Sequence, residues 1–397
     1  MTVQAGPAGQ QTVRRHNLGL IGAALTAGPS SRTELAQRTG LTKATVSSLV
    51  DQLTASRIVV DGEPAATGVG RPARPVRLNP DGPVALGVEI NVDYLAACVL
   101  DLTGAVRAHR QLAHRGGDAE SILADAGRLA EAVRDQLGQP LLGAGLALPG
   151  VVGGDGTLLR APNLPSLAGT VPGRRLATML GLPRLLVDNE ANLGALACLR
   201  ADPGVGPDFV YVSGEIGVGA GLVVAGELFR GVHGFAGELG HVVVTRDGPD
   251  CGCGGRGCVE AYAGQDVLLR AAGQPDLERL EAAVAEGDPA ALAAVAQAGG
   301  ALGVGLASLL NVMDLPRVVL GGMYARLFEA ITPALVEQLD RRALVPRSLS
   351  RSPLGAVAAV RGAAGAVLDA ALRDPAGFTG SDGSSGSSTP WRTRRTG

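Results

Sequence analysis

The sequence is poor in aromatic residues, in lysine and in cysteine. Aromatic side chains make up 3% of the 397 residues, so leucine, valine and alanine must fill the cores of the protein. Lys43 is the single lysine and arginine supplies every other basic side chain, a bias that we attribute to GC-rich codon usage. The chain has five cysteines, and three of them lie in one short stretch.

We expect neither a membrane span nor a secretion signal in this chain. We find no apolar run of the ~18–20 residues that a membrane helix needs. The opening stretch, MTVQAGPAGQQTVRRHN, has no apolar segment typical of a signal peptide. A cytoplasmic protein without a membrane partner is therefore predicted. Disulfides are then not expected, and clustered cysteines indicate metal ligands or reactive thiols.

The charge of the chain is small but unevenly distributed. The net charge is −2, yet residues 1–80 hold nine basic and four acidic residues, a net charge of +5, which leaves −7 on the remainder. A basic N-terminal region on an acidic body indicates that this region meets a polyanion. The length of the chain predicts two or three domains.

The N-terminal region has the pattern of a helix-turn-helix. Ser31 and Glu34 form a capping box for one helix, Gly40 ends that helix, and Thr42 can cap the next one. The second helix has apolar residues at the spacing of one buried stripe, namely Val46, Leu49, Val50 and Leu53. A short capped helix, a glycine turn and a helix with a polar outer face are typical of DNA-binding modules.

A predicted wing follows the two helices. Residues 57–78 are consistent with two short strands around a Gly- and Pro-rich loop that carries arginines, which suits insertion into a minor groove or a phosphate contact. An ordinary three-helix unit without DNA contact is the alternative. The candidate DNA-binding residues are Arg32, Thr42, Lys43, Ala44, Ser47, Ser48, Arg71 and Arg74.

The rest of the chain alternates predicted strands and helices, which indicates an α/β fold. We predict a disordered arm over residues 1–11 and a winged helix-turn-helix domain over 12–80. An effector and dimerisation domain is predicted over 84–374. The low-complexity segment 375–397 is predicted to be a disordered tail.

One histidine and three cysteines have the spacing of a zinc site. His241, Cys251, Cys253 and Cys258 follow the pattern H-x9-C-x-C-x4-C, and intervening glycines let the backbone turn around one ion. Four such ligands satisfy tetrahedral zinc with no open position, so we predict one structural Zn²⁺ per chain, held by a knot over residues 241–258. Free or redox-active thiols are the alternative.

Several motifs of this chain together resemble the ROK family of repressors, open reading frames and kinases. The segments GFAGELGH and CGCGGRGCVEAYAG resemble its signature, and GLALPGVV, APNLP, VDNEANLGALA and VVLGG occur in the family's order. The resemblance covers about residues 12–373. It implies an actin-like, two-lobed sugar-kinase fold, the ATPase fold, here with an N-terminal winged helix-turn-helix domain.

The resemblance also implies which residues bind sugar. His241 would bind zinc through one ring nitrogen and face the sugar with the other. The sugar-binding residues implied by position are Asn163, Asn189, Glu190, Glu238, His241 and Glu260.

The positions where family kinases hold ATP carry different side chains. Glu89 and Asp93 lie where the first phosphate loop of the kinases has D-x-G-G-T, and Glu215 lies in the second loop. Glu190 replaces the catalytic aspartate, which moves the carboxylate by roughly 1.5 Å, and a misplacement of about 1 Å can cost on the order of 100-fold in rate. We therefore expect no catalytic residues and no kinase activity.

These features predict a dimeric or tetrameric transcriptional repressor of carbohydrate metabolism that binds operator DNA and a sugar or sugar phosphate. Three alternatives remain at this point. They are an active sugar kinase that carries a DNA-binding domain, a regulator that binds DNA but no sugar, and a redox or zinc sensor.

Overall fold

The structure, a computed structural model, describes residues 9–63, 74–114 and 116–379. They form an N-terminal helical unit and two α/β lobes. The N-terminal unit consists of α1 (Gln10–Thr26), α2 (Arg32–Thr39), α3 (Lys43–Ala55), β1 (Val59–Asp61) and β2 (Val76–Leu78).

Local capping determines where the helices of this unit begin and end, as predicted. The Ser31 hydroxyl accepts the Glu34 N–H and the Glu34 carboxylate accepts the Ser31 N–H, so the capping box of α2 is complete. Gly40 ends α2 with φ +71°, a left-handed conformation that glycine adopts without strain. The Thr42 hydroxyl caps α3. The strands β1 and β2 pair antiparallel and form the stem of the predicted wing.

The first lobe holds ten elements. They are β3 (Val84–Ile90), β4 (Tyr94–Leu100), β5 (Val106–Ala113), α4 (Ala119–Arg134), β6 (Leu141–Leu148), β7 (Val151–Val152), β8 (Leu158–Arg160), α5 (Pro172–Met179), β9 (Leu185–Asn189) and α6 (Glu190–Ala201).

The second lobe and the C-terminal helices complete the described chain. They are β10 (Phe209–Gly214), β11 (Val218–Val224), β12 (Glu227–Phe229), α7 (Glu260–Ala263), α8 (Gln265–Ala272), α9 (Leu277–Glu286), α10 (Pro289–Met313), β13 (Arg317–Gly321), α11 (Gly322–Arg326), α12 (Phe328–Arg342), β14 (Ser348–Arg351), α13 (Ala358–Arg373) and α14 (Pro375–Thr379).

Each lobe is built on a five-stranded sheet of the same design. The strand orders are β5-β4-β3-β6-β9 and β12-β11-β10-β13-β14. In both sheets three antiparallel strands are followed by two parallel ones. This duplication gives the two-lobed α/β architecture that was predicted. It also makes the turns β3–β4 and β10–β11 equivalent positions in the two lobes.

Two helices connect the lobes. Helix α6 packs on β10 and β11 of the second lobe, and it also packs along α13, which covers one face of the first sheet. The two helices approach closely because α13 has a glycine at the contact: a Cβ on Gly362 would lie 1.9 Å from the Leu193 carbonyl oxygen. Any movement between the lobes must therefore involve this helix pair.

The N-terminal unit shares its hydrophobic core with the first lobe. One cluster of buried side chains includes Leu18 and Ile21 of α1, Val50 of α3, Ala96 of β4 and Leu372 of α13. Helix α1 begins at Gln10, two residues before the predicted domain boundary. The predicted disordered tail is also too long at its start, because Pro375–Thr379 form helix α14 against α1.

Two helices are more apolar than we expected from the sequence. The segments Pro289–Met313 and Gly355–Arg373 are long and apolar enough to cross a membrane by length and composition, so the expectation that no such run exists was wrong. The most apolar windows of the two segments are 56% and 61% buried inside the protein. They pack as core helices of the two lobes, which accounts for their composition.

Candidate functional site

The predicted metal ligands come together at the base of the second lobe. The ligand atoms of His241, Cys251, Cys253 and Cys258 all lie within 4.8 Å of one another. The Cys253 and Cys258 sulfur atoms are 3.8 Å apart, which is far from a disulfide bond length. In a tetrahedral zinc site with Zn–S bonds of about 2.3 Å, neighbouring sulfurs lie about 3.8 Å apart. The four residues therefore fit a closed tetrahedral site.

Glycine is required where the knot closes on itself. Gly257 has φ +68°, and a Cβ there would lie 1.7 Å from the Thr245 carbonyl oxygen. The isolated bridge Val243–Cys258 joins the two ends of the knot. This bridge ties the backbone next to His241 to the backbone at Cys258.

His241 faces the metal site with one nitrogen and the cleft with the other. Its Nδ1 lies 3.9 Å from the Cys251 sulfur. Its Nε2 lies 3.8 Å from the Glu238 carboxylate. The Glu238 carboxylate is thus close to the imidazole but too far away for a hydrogen bond. Burial raises the pKa of Glu238, and the neighbouring Glu260 raises it further.

Asn163 and Glu260 approach each other around Gly217. The Glu260 carboxylate accepts the Val218 N–H at 3.0 Å. A Cβ on Gly217 would lie 2.6 Å from that carboxylate and 3.6 Å from the Asn163 side-chain nitrogen. The missing side chain at Gly217 thus leaves the space in which both polar groups face the cleft.

The Asn189 side chain forms most of its hydrogen bonds with backbone groups of the protein. Its side-chain oxygen caps α6 by accepting the N–H groups of Ala191 and Asn192, and its amide nitrogen donates to the Gly150 carbonyl at 2.9 Å. One amide hydrogen remains for a ligand. Asn189 lines a cavity together with Asn192, Gly237 and Glu238.

Glu190 lines a second, adjacent cavity that is acidic. Glu89, Ser213 and Glu215 line the same space. Burial, together with the charges of Glu89, Asp93 and Glu260, raises the pKa of Glu190 to about 8. Burial likewise raises the pKa of Glu89 to about 7, although the Tyr94 hydroxyl donates to it at 2.7 Å. A group of carboxyls thus lies where the two lobes meet.

Comparison with known proteins assigns this architecture. The ROK family profile matches residues 85–370. The chain belongs to the ROK family. It is 31% identical to the xylose repressor of Caldicellulosiruptor bescii over 340 residues, which cover 79% of this chain and 84% of that repressor.

Solved structures of ROK proteins share the fold. A ROK family transcriptional regulator, a homolog of the E. coli MLC protein, matches 92% of this chain and 98% of its own length, with a TM-score of 0.77 and 25% identity. A ROK glucokinase from Streptomyces griseus, solved with glucose and AMPPNP, matches 71% of this chain and 98% of its own, with a TM-score of 0.65 and 26% identity. The family therefore includes regulators and kinases, and the regulator match extends over the N-terminal unit as well.

The candidate DNA surface of this ROK-family chain is the outer face of α3. Thr42, Lys43, Ala44 and Ser48 are exposed and Ser47 is half-buried. Two further candidates lie on the wing. Arg74 is exposed after β1, whereas Arg71 lies outside the described residues.

Two arginines near this surface make contacts that the sequence did not predict. Arg32 is half-buried and pairs with Asp61 at 3.0 Å and Asp51 at 3.8 Å, so its guanidinium joins the wing stem to α3. Arg14 of α1, which was not among the predicted DNA-binding residues, reaches the outer face of α3 and donates to Gln52 at 2.9 Å and Ser48 at 3.4 Å. No local pattern signals this contact, since the partners are 38 and 34 residues away.

One buried ion pair at the cleft was also missed. Asp188 accepts from the Arg230 guanidinium at 2.6 Å and from the Asn192 amide at 2.9 Å. This pair joins the start of α6 to the loop after β12. Nothing in the local sequence pairs two residues that are 42 positions apart.

Proposed function

We propose that this ROK-family chain is a sugar-responsive transcriptional repressor. The observation that carries the proposal is the combination of a winged helix-turn-helix with a ROK body whose two hairpin turns bear carboxyls. The exposed face of α3, with Lys43 at its start, enters the major groove of operator DNA. Arg71 and Arg74 on the wing contact the flanking phosphates or the minor groove.

The sugar occupies the cleft between the lobes. Asn163, Glu238 and Glu260 offer oxygen and nitrogen atoms to its hydroxyl groups, Asn189 offers its remaining amide hydrogen, and His241 offers its outward nitrogen. Glu190 accepts a hydroxyl at the inner end. The zinc ion held by His241 and the three cysteines is structural and holds Glu238 and Glu260 at the right separation; elemental analysis of the purified chain tests its presence.

Kinase activity is absent in this proposal. A nucleotide triphosphate would place its phosphates between the turns β3–β4 and β10–β11, where Glu89, Asp93 and Glu215 lie. Bringing an anion next to buried carboxyls without an opposing cation is strongly unfavourable. The Tyr94 hydroxyl further holds Glu89 in place.

The repressor acts as a homodimer in the cytoplasm. Two-fold symmetry of the protein matches a near-palindromic operator. Sugar binding changes the closure of the two lobes, and the shared helix α13 transmits that change to the N-terminal unit. Coupling between two such sites is typically about 1–3 kcal/mol, and we expect the sugar to relieve repression.

The proposal is tested with DNA, sugars and ATP on the same preparation. A site selected from random duplexes gives an anisotropy assay for operator affinity, and a monosaccharide panel should weaken that affinity by roughly 5- to 150-fold. Lys43→Ala should weaken binding and reduce the salt slope by about 1. Arg128→Ala, an exposed arginine on helix α4 of the body, is the matched control and should leave both unchanged.

The same preparation also tests the alternative that the chain is an active sugar kinase. ADP release in step with sugar phosphorylation at about 1 s⁻¹, the low end of ordinary enzymes, would contradict the proposal. Unchanged operator affinity in Lys43→Ala and Arg74→Ala would place the DNA surface elsewhere.

A further inference from the structure

The acidic cavity contains polar atoms that no protein group satisfies. Glu89 is 1% exposed and Glu190 is 9% exposed. One carboxyl oxygen of each has no hydrogen-bond partner among the described residues, and the same holds for the Asn91 amide nitrogen and the Asn192 oxygen. Buried polar atoms without partners are rare and costly. Those of Glu89 and Glu190 belong to side chains that line one cavity with Glu215, so they are available to a ligand.

The charges around this cavity are predominantly negative. In the described part of the chain, the charges that act on Glu190 are those of Glu89, Asp93 and Glu260. Arg326 acts on Glu215, but its guanidinium is already bound in a two-pronged pair to Glu281 at 2.6 and 2.5 Å. The carboxyl cluster therefore lacks a dedicated counter-charge within these residues.

An anionic ligand does not fit this environment. A phosphate placed beside Glu89, Glu190 and Glu215 would be repelled by all three carboxyls when they ionise. The N-terminus of α6 cannot compensate by its N–H groups, because the Asn189 side-chain oxygen already accepts two of them. This excludes a sugar whose phosphate enters the acidic cavity.

A small metal ion fits no better. Ca²⁺ and Mg²⁺ need several oxygen ligands at about 2.0–2.6 Å, so the ligand atoms must crowd around one point. Among the described residues, the His241 and cysteine group is the one set of three or more potential ligands whose atoms lie within 4.8 Å of one another. Glu89, Glu190 and Glu215 do not form such a set among the described residues, so they do not surround one point as a small metal ion requires.

The acidic cavity and the cavity proposed for sugar hydroxyls are lined by consecutive residues at the start of α6. Asn189 lines the latter and its neighbour Glu190 lines the former. A ligand that spans the start of α6 therefore places hydroxyl groups near Asn189 and Glu238. Its other end lies near Glu89 and Glu190, and an ammonium there supplies three donors to their unsatisfied oxygens.

We propose that the effector of this protein is an amino sugar, whose protonated amine binds between Glu89, Glu190 and Glu215, and not a sugar phosphate. This inference rests on the proposed function, since it specifies the ligand of the same cleft. Hydrogen bonds to charged groups contribute about 1.5–3 kcal/mol, so the amine should bind about tenfold or more tightly than the hydroxyl it replaces.

The test compares matched ligands by titration calorimetry on the full chain. We would titrate three series of ligands, based on glucose, mannose and galactose. Each series contains the neutral sugar, amino sugars substituted at C2, C3 or C6, and the 6-phosphate. In the series that binds, we expect an amino sugar to bind at least about tenfold more tightly than the neutral sugar, and the 6-phosphate to bind more weakly than both. The inference would be overturned if the neutral sugar bound as tightly as the amino sugar or more tightly, or if the 6-phosphate bound most tightly. Either result would leave the proposed function intact.

Near-isosteric variants identify the group that recognises the amine. Glu215→Gln should reduce the preference for the amino sugar to less than about twofold while it still binds the neutral sugar. Glu190→Gln, whose carboxyl is also proposed to accept a sugar hydroxyl, should weaken the binding of both ligands and lose the same preference. Glu227→Gln, on an exposed strand edge outside the cavity, should keep the full preference. If both cavity variants keep the full preference for the amino sugar, the amine binds elsewhere and the assignment is wrong.

Two further outcomes would show that the cavity binds a different ligand or that the chain binds no sugar. If Mg²⁺ or Ca²⁺ alone raises the melting temperature of the wild type but not of Glu190→Gln, the cavity binds a metal ion. That result would overturn the inference. Binding of no monosaccharide in any series would contradict the proposed function itself, and the inference would fall with it.

Discussion

At the scale of single residues, Glu190 makes stability depend on pH. Its pKa is raised from 4.5 to about 8 in the folded protein, so the folded state holds a proton that the unfolded state has released. Stability is then fully present below about pH 4.5 and is lost as the pH rises through about 8. We expect the wild type to lose a few kcal/mol of unfolding free energy between pH 5 and pH 8.5.

Glu190→Gln should remove much of this loss. An amide cannot ionise, and its neutrality also relieves Glu215, whose pKa is raised first by burial and then by the Glu190 charge. Urea unfolding at pH 5 and pH 8.5 measures the difference, with the exposed Glu227→Gln as control. Equal losses of stability in Glu190→Gln and wild type would show that this carboxyl is not the source.

Residues that act together within a short stretch could be predicted, and residues that meet across the fold could not. The four candidate metal ligands lie within 18 positions and the glycines between them allow the tight turns, so their spacing alone indicated the cluster. The use of the Asn189 oxygen as a helix cap was not predicted, because the motif was interpreted as sugar-binding. The Arg230–Asp188 and Arg32–Asp61 pairs depend on tertiary packing, which a local pattern does not contain.

At the scale of elements, capping and periodicity predicted α2 and α3 well because their signals are local. The first half of α10 has no comparable signal, since it is alanine-rich and shows no clear apolar stripe. The packing of α1 on α13 was not foreseen. It depends on two small residues of α1 that meet the last turn of α13: a Cβ on Gly19 or Gly22 would lie 2.2 or 2.1 Å from a carbonyl oxygen of that turn.

The contact between α1 and α13 predicts opposite effects for two glycine-to-alanine changes in helices. Gly22→Ala should destabilise the protein by about 1–3 kcal/mol, because the added methyl forces the backbones apart. Gly300→Ala, in α10, meets nothing within 4 Å and should stabilise by roughly 0.5–1 kcal/mol through helix propensity. Urea unfolding of both variants measures the two signs.

The comparison between these variants decides the role of the contact. Should Gly22→Ala gain stability as Gly300→Ala does, α1 does not pack against α13 in solution. A loss in Gly22→Ala accompanied by weaker operator binding would add that the contact also orients the N-terminal unit.

At the scale of the whole molecule, the two-lobed architecture could be predicted from the order of strands and helices. The attachment of the N-terminal unit could not, because a domain boundary near residue 80 suggests an independent module. In the structure, the buried side chains of α1, α3, β4 and α13 form one cluster, and Arg15 of α1 pairs with Asp374 after α13. The unit that was predicted as a separate head therefore contributes to the core of the first lobe.

This shared core predicts that the N-terminal unit does not fold alone. A fragment of residues 1–80 lacks the α13 surface on which α1 packs. Leu18 and Ile21 of the shared cluster would then be more exposed to water, and the fragment should show no cooperative melting by circular dichroism. In the full chain, amide hydrogens of α1 and α13 should become exchangeable in the same opening event, since segments that share a core open as one unit. A cooperatively melting fragment, or α1 amides that exchange freely while α13 stays protected, would mean that the N-terminal unit is an independent domain, and sugar binding in the cleft would then need a route to the DNA other than α13.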